Sequence, residues 1–560
     1  MAVQARVGSS LLTALALSAL PGSASAEHPL LFFDPADVAT LQARVAAGDP
    51  AASWYGSVKS GADSGLSYSG TDEAQRSRYA RQMAFVHLIE GGQTYRDQTV
   101  AFLQTVGDYD TDWNDFGWVW GGDLLYYAMA YDWIQPALTT AEDDAIRAQL
   151  EAACDKTYGI YQVPPTSGTG KYYTNVRLRI AAGMGAASLA LESYGEAPTR
   201  LAYVIEDLFG PSHTHPFQMS AVVARDGIYK EGSSYQNDSF NAMTPFLLAY
   251  EHVTGTSYYD ATSTYDDRLG RMYRTNLQLM MPNRGAPTLN TGWMGVTSGH
   301  ELVAGLLSDG AEQMWYWNEA NNRSSSMAEL SIVFYDEALD SANAAPAYTS
   351  QILDNAAVFR TGWTEDETWL LLSSDNEASR STHDQPDQTA IALYASRAYL
   401  LIDPGDGRNY PSAEHYFLRY SPVAHNLVVI DGLEGPLLSG GSATPTKVYR
   451  YESDPDPVSD PAVLREGFVS DAFDYAESGI EGYEDVPDVS SARSVFFPGK
   501  DYVAVLDELS ATSSHQYDHL LHFGGHEGAS AIEGTLGIQS NEILWQTTNE
   551  DDESVELRVV

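Results

Sequence analysis

Near Ala345 the spacing of apolar residues changes period, and this change limits the possible folds more than any other feature of the chain. Upstream, from about Asp34 to Asp340, apolar residues recur at helical intervals. Asp34-Pro35-Ala36-Asp37-Val38 opens one such stretch with a capping Asp and a Pro in the first turn. Thr140-Ala141-Glu142-Asp143 opens another, with an acid three residues after the capping Thr. Leu124 to Trp133, Phe246 to Val253 and Glu301 to Leu307 continue the series, and the Ala- and Gly-rich run from Ile180 to Leu191 suits close helix packing. Helix after helix, with no alternating strands and no fixed repeat, predicts an all-α domain of helical hairpins. Downstream come short runs rich in Val, Ile, Leu and Tyr: Ala357 to Arg360, Trp369 to Ser373, Thr389 to Ala395, Tyr399 to Ile402 and Asn426 to Ile430. Turn residues such as Asp403-Pro404-Gly405-Asp406-Gly407 separate them, which predicts an antiparallel β-sandwich. A strand-like run reaches Val560, so the sandwich is expected to continue past it.

The start reads as an export signal over residues 1–26: Arg6, an apolar run from Leu11 to Leu20, and Ala24-Ser25-Ala26 before Glu27. That run is too short to span a bilayer, so a secreted or periplasmic protein is expected, with no membrane partner. The helical domain is then predicted over 27–344 and the β-sandwich over 345–560. Cys154 is the single cysteine, which excludes an intrachain disulfide and reads as a buried helix residue. Acidic residues outnumber basic ones 76 to 31, a formal charge of −45. Such a charge argues against nucleic acid as a partner and opposes long-range steering of a polyanion. At seawater-like salt, however, the Debye length shrinks to about 4–5 Å, and a local basic cleft suffices for an acidic ligand.

Three clusters carry chemistry. The first is Tyr172-Tyr173-Thr174-Asn175-Val176-Arg177-Leu178-Arg179. Asn175 stands where a loop turns into a helix, the usual place of a cap. Arg177 and Arg179 at a helix start are less expected, because the dipole disfavours cations there. Beside an amide and two tyrosines they read as a subsite for a carboxylate or sugar. The second cluster, Asp226-Gly227-Ile228-Tyr229-Lys230-Glu231-Gly232-Ser233-Ser234-Tyr235, reads as an ordered loop before a helix, with ordinary packing as the alternative for its tyrosines. In the third, His383, Gln385 and Asp387 alternate ahead of a strand, so extended geometry turns all three one way. Asp403 follows, and Ala424-His425-Asn426 comes next, which makes a metal or active-site constellation on neighbouring strands.

In this order and at these separations the clusters resemble the heparinase II/III family. His28-Pro29-Leu30-Leu31-Phe32, Ala130-Tyr131-Asp132-Trp133, the Asp226-to-Tyr235 segment, His383-x-x-x-Asp387, Asp403-Pro404-Gly405 and His425-Asn426 carry the likeness over nearly all of the chain after residue 26. The resemblance implies an incomplete α/α toroid followed by an antiparallel β-sandwich, catalysis where the two meet, and lyase activity on uronate polymers. Two departures stand out. Val176 occupies the place of a family His, so Asn175 or Arg177 inherits its duty. Gln385 replaces a family metal-binding His, so of Gln385, Asp403 and His425 only two are good zinc ligands. A harder ion, calcium or manganese, is the alternative.

The expected chemistry is β-elimination. Asn175 and Arg177, with His383, would bind the uronate carboxylate and stabilise the enolate-like transition state. Tyr235 would act as acid, and as base when both events share a sugar face, and His383 would be base when they do not. Arg179, Tyr173, Tyr229 and Glu231 are expected to bind substrate. The competing readings are a uronyl C5-epimerase using the same groups, a glycoside hydrolase with Glu231 and Asp123 as paired carboxylates, and a glycan-binding protein without catalysis. Alginate or ulvan is slightly favoured over glycosaminoglycans as the acidic polysaccharide.

Overall fold

The computed structural model describes residues 27–107, 117–161, 175–210, 219–259, 267–288, 297–324, 327–374, 385–405, 422–431, 462–481, 487–525 and 534–560. The expected export segment lies outside them. Helices occupy the chain as far as Ser341 and strands run from Gln351 to Val559. No helix of the described residues is long and apolar enough to cross a membrane.

The first nine helices are α1 (Val38–Ala47), α2 (Ala51–Leu66), α3 (Glu73–Glu90), α4 (Gln93–Leu103), α5 (Gly117–Ile134), α6 (Thr140–Tyr161), α7 (Asn175–Leu191), α8 (Ala197–Phe209) and α9 (Ser233–Thr254). Helices α3, α5, α7 and α9 pack each on the next, while α4, α6 and α8 return the chain between them. Small residues set how close they come. A Cβ added at Gly121 would lie 2.3 Å from the Arg179 carbonyl oxygen, and one at Gly183 would lie 2.1 Å from that of Gly121. Helices α5 and α7 therefore meet backbone to backbone, as the Ala- and Gly-rich run predicts. A Cβ at Gly185 would strike the Phe246 ring at 2.3 Å. Gly121 and Arg179 each sit about one turn into their helices, and Gly185 and Phe246 about three turns in. The stacked helices thus run parallel, and their N-terminal ends share one rim.

The chain then continues through α10 (Arg268–Leu279), α11 (His300–Val303), α12 (Gly310–Asn321), α13 (Ala328–Phe334) and α14 (Glu337–Ser341). These late helices return to the first ones. Arg44 of α1 donates to the Val333 carbonyl at 2.8 Å, and Arg81 of α3 pairs with Glu329 of α13 at 3.1 Å.

Asp132 of α5 fastens the segment before α1. Its carboxylate accepts from His28 Nδ1 at 2.7 Å, from the Leu30 amide at 2.9 Å and from the Leu31 amide at 3.2 Å. Burial works against charge on His28, but hydrogen bonds to Asp132 and Glu192 outweigh it and raise its pKa to about 9. This folded-state value lies above the free value, so the stabilisation is full below about pH 6.5 and fades as pH rises through about 9. Asp132→Asn is expected to destabilise the helical domain by about 1–3 kcal/mol and to flatten this pH dependence. Denaturant melts across pH 6–9.5 on both proteins check it.

Five strands open the second part: β1 (Gln351–Ile352), β2 (Ala356–Arg360), β3 (Trp369–Ser373), β4 (Ile391–Ala395) and β5 (Ala398–Leu401), an antiparallel meander in chain order. Residues alternate across it. Ala356, Val358, Trp369, Leu371 and Tyr394 pack with Met281 and Leu279 of the helical part. Ala357, Phe359, Leu370 and Leu372 pack with Ala476, Val495 and Phe497 of a second sheet. A sheet covered on both faces needs apolar residues at every position, which explains the unbroken apolar runs. The second sheet holds β7 (Val463–Val469), β8 (Phe473–Glu481), β9 (Val489–Pro498) and β10 (Ala504–Ala511). Strand β6 (Val428–Ile430) pairs with β11 (Tyr517–His519), and β12 (Gly534–Gln539), β13 (Glu542–Thr548) and β14 (Ser554–Val559) form a third sheet. Arg360 of β2 reaches back across the junction. Its guanidinium lies 4.0 Å from the Trp363 ring and donates to carbonyls at the C-terminal end of α10, those of Gln278 and the capping Met280. A cation there suits the negative end of a helix.

Candidate active site at the helix rim

The Asp226–Gly232 segment is a tight hairpin. Ala224 donates its amide to the Ile228 carbonyl at 2.8 Å, and Lys230 donates to that of Val222 at 2.9 Å. Gly227 turns it with a φ of 94°, and a Cβ there would meet the backbone of Arg271 at 2.5 Å, so only glycine fits. The Asp226 carboxylate accepts from the Asn355 amide at 2.8 Å and ties the hairpin to the start of β2. Gly232, with a φ of 84°, then turns the chain into α9.

This hairpin delivers Glu231 to the start of α7. The fully buried carboxylate accepts the Asn175 amide at 2.8 Å and the Tyr229 hydroxyl at 3.1 Å. Glu231 therefore supplies a cap to α7 from a separate segment, and the helix dipole favours its charge there. Tyr229 is buried, and its hydroxyl also lies 3.0 Å from Ser239 Oγ. Burial, reinforced by the Glu231 charge, holds the Tyr229 pKa well above the ordinary phenol range. Ser239 Oγ lies 2.7 Å from the Tyr235 carbonyl oxygen in the first turn of α9. Tyr235 itself is half-buried, its ring packed at the edge of the helical core. Contacts through Glu231, Tyr229 and Ser239 thus run from the Asn175 amide to the Tyr235 carbonyl, and Tyr229 and Glu231, expected to bind substrate, are both buried inside the scaffold. Asp123, the other carboxylate of the hydrolase reading, is also buried and hydrogen-bonded to Ser77 at 3.0 Å. A hydrolytic pair finds no support here.

Arg177 is buried as well. It is only 2% exposed, its guanidinium binds Asp207 of α8 at 3.0–3.1 Å, and it lies 4.1 Å from the Tyr161 ring. A guanidinium committed to a buried carboxylate is not available to a sugar. Arg179, one turn along α7, is half-buried and lies in the field of Asp238, Tyr126 and Asp123. Burial lowers its pKa, with Asp238 opposing. Burial also raises Asp123 to about 7, so near neutral pH that carboxyl only partly offsets Arg179. Tyr173 and His383 lie outside the described residues.

On the sheet side, Asp403 and His425 meet directly, Oδ2 to Nδ1 at 2.7 Å. Asp403 Oδ1 accepts the Gly405 amide at 3.2 Å, which accounts for the Asp-Pro-Gly turn. Burial opposes charge on His425, but the charge and hydrogen bond of Asp403, with Asp387 behind, raise its pKa. Asn426 is structural, donating to the Ile391 and Ile402 carbonyls at 2.8 and 2.9 Å. Gln385 is fully buried nearby in sequence. Asp403 occupies His425 Nδ1, which leaves the buried Nε2, without a hydrogen-bond partner among the described residues, as the nitrogen a metal would take, with the carboxylate orienting the ring from behind. Gln385 offers a weak carboxamide oxygen, and calcium needs about six oxygens. Among the described residues no group of three His, Cys, Asp or Glu side chains is placed to hold a metal.

Two participants went unnoticed in the sequence. Asp207, the partner of Arg177, carries no local signal. His522, whose lowered pKa comes chiefly from burial and in part from His425, sits in a strand-like stretch with no distinguishing motif.

Residues 354–559 match the family described as heparinase II/III-like, C-terminal. None of the curated proteins matches the chain. Among solved structures, a heparinase III aligns with a TM-score of 0.55 at 14% identity, covering 88% of this chain and 71% of that one. The heparan sulfate lyase HepC from Pedobacter heparinus aligns with a TM-score of 0.54 at 15% identity, covering 88% of this chain and 70% of that one. At such identities the likeness is one of fold, an α/α toroid followed by antiparallel sheets.

Proposed function

We propose that this chain, whose residues 354–559 belong to the heparinase II/III-like C-terminal family, is a polysaccharide lyase that cleaves an acidic, uronate-containing glycan by β-elimination. The observation that carries the reading is the joining of Asn175 to Tyr235 at the rim of parallel helices, one turn from Arg179.

Elimination removes the C5 proton of a uronate, breaks the C4–O4 bond and leaves a C4–C5 double bond, while O4 gains a proton. The C5 proton becomes acidic only when the neighbouring carboxylate is neutralised. In our reading Arg179 and the Asn175 side chain meet that carboxylate, where the helix dipole also favours negative charge. Tyr235 protonates O4 and, when both events share a face, first takes the C5 proton. His383 serves as base for the opposite geometry. Arg177 drops out, because Asp207 holds it.

We read the Asp403–His425 pair as structural, and route no step through a metal there. Prolonged chelation is expected to leave turnover and melting unchanged. Gln385→His should create a site that takes up zinc, measurable as metal content after dialysis and as a zinc-dependent rise in melting temperature. Loss of activity on chelation, restored by one metal, would overturn this.

The sequence slightly favoured alginate or ulvan. The structural neighbours act, by name, on heparin-type polymers, which puts heparan sulfate first in the assay. Purified protein incubated with heparan sulfate, alginate, ulvan, glucuronan and chondroitin-type polymers should raise ultraviolet absorbance on at least one. Reducing ends appearing without absorbance would mean hydrolysis. Solvent-proton exchange at C5 without chain cleavage would mean epimerisation. An export route rests on residues 1–26 and is part of the proposal.

A further inference from the structure

Three contacts link Glu231, Tyr229, Ser239 and the Tyr235 carbonyl, yet only two hydroxyl protons are available to make them. The carboxylate is the strongest acceptor, so the Tyr229 proton goes to Glu231. Ser239 donates to the Tyr235 carbonyl at 2.7 Å, the shorter of its two contacts and one whose partner can only accept, and its oxygen faces the Tyr229 hydroxyl at 3.0 Å. Glu231 takes the Tyr229 proton on one side and the Asn175 amide on the other at 2.8 Å. Tyr229 never leaves this role as a base, because burial keeps its proton in place. The hairpin that carries Glu231 is itself fixed at both ends, by Asp226 on Asn355 and by Gly232 at the start of α9.

We propose that Glu231, acting through Tyr229 and Ser239, is a positioning residue that sets the first turn of α7 against the first turn of α9, and so the distance from Asn175 to Tyr235. Its effect on turnover rests on the lyase reading above; its effect on the two helix starts does not. One charged group buried between them decides both. Removing that charge loosens the starts of both α7 and α9, whereas a residue that merely filled space would loosen only its own hairpin.

Glu231→Gln and Tyr229→Phe test this, the second keeping the ring in place should the first fold poorly. Hydrogen exchange should accelerate several-fold in peptides covering residues 175–180 and 233–239 together, with the rest of the helical part unchanged. On the polymer found to be cleaved, kcat should fall by about 10- to 100-fold with KM within about twofold, and the limb of the pH profile belonging to Tyr235 should move. Exchange confined to residues 226–232, or turnover equal to wild type, would overturn the proposal. If no polymer gives an unsaturated product the lyase reading falls, and the exchange data alone decide whether Glu231 couples the helices.

Discussion

Tyr235→Phe is expected to lower formation of unsaturated product by about 10²–10⁴-fold, with little change in substrate affinity or in the melting curve. The structure gives reasons for both halves of that outcome. The ring of Tyr235 packs at the margin of the helical core, and its carbonyl is held within α9, so phenylalanine keeps both the ring packing and the backbone contact. What it loses is the single proton that the departing O4 requires. Tyr229 cannot replace it, being buried and hydrogen-bonded to Glu231. The measurement is the initial rate of absorbance increase, paired with calorimetric binding of the same polymer to both proteins. A rate within a few-fold of wild type would remove Tyr235 from the chemistry.

Much of this arrangement was legible in the sequence, and the limits of reading have physical causes. The change of period near Ala345 reflects a real change in burial geometry, from helical stripes to strands covered on both faces. The Asp226-Gly227 and Asp403-Pro404-Gly405 turns could be read because their residue types answer a local backbone demand. The pairing of Arg177 was hidden because its partner, Asp207, lies 30 residues away on another helix. A guanidinium at a helix start looks open to solvent until the helix that covers it is known. The capping role of Glu231 was hidden in part for the same reason: a cap usually comes from the adjoining residues, and here it comes from 56 residues downstream. Local chemistry was visible from the sequence, whereas pairings made by tertiary packing were not.

The second large effect follows from that hidden arginine pairing. Asp207→Ala is expected to destabilise the helical part by about 3–5 kcal/mol, because it leaves a charged guanidinium buried without its partner. Arg177 and Asp207 are each at most 2% exposed at the side chain, and Tyr161 donates its hydroxyl to the same carboxylate, so three buried groups lose their arrangement together. Arg177→Met alone should cost a comparable amount by stranding Asp207. Joined with Asp207→Leu it should recover most of the loss, since an apolar pair of similar volume needs no desolvated charge. Urea melts followed by the helical signal measure all four proteins, and turnover on the cleaved polymer is read in parallel. A scaffold role requires activity to return with stability in the double variant. If stability returns while turnover stays lost, Arg177 leaves Asp207 during the reaction and meets the substrate, and the division of labour between Arg177 and Arg179 is reversed.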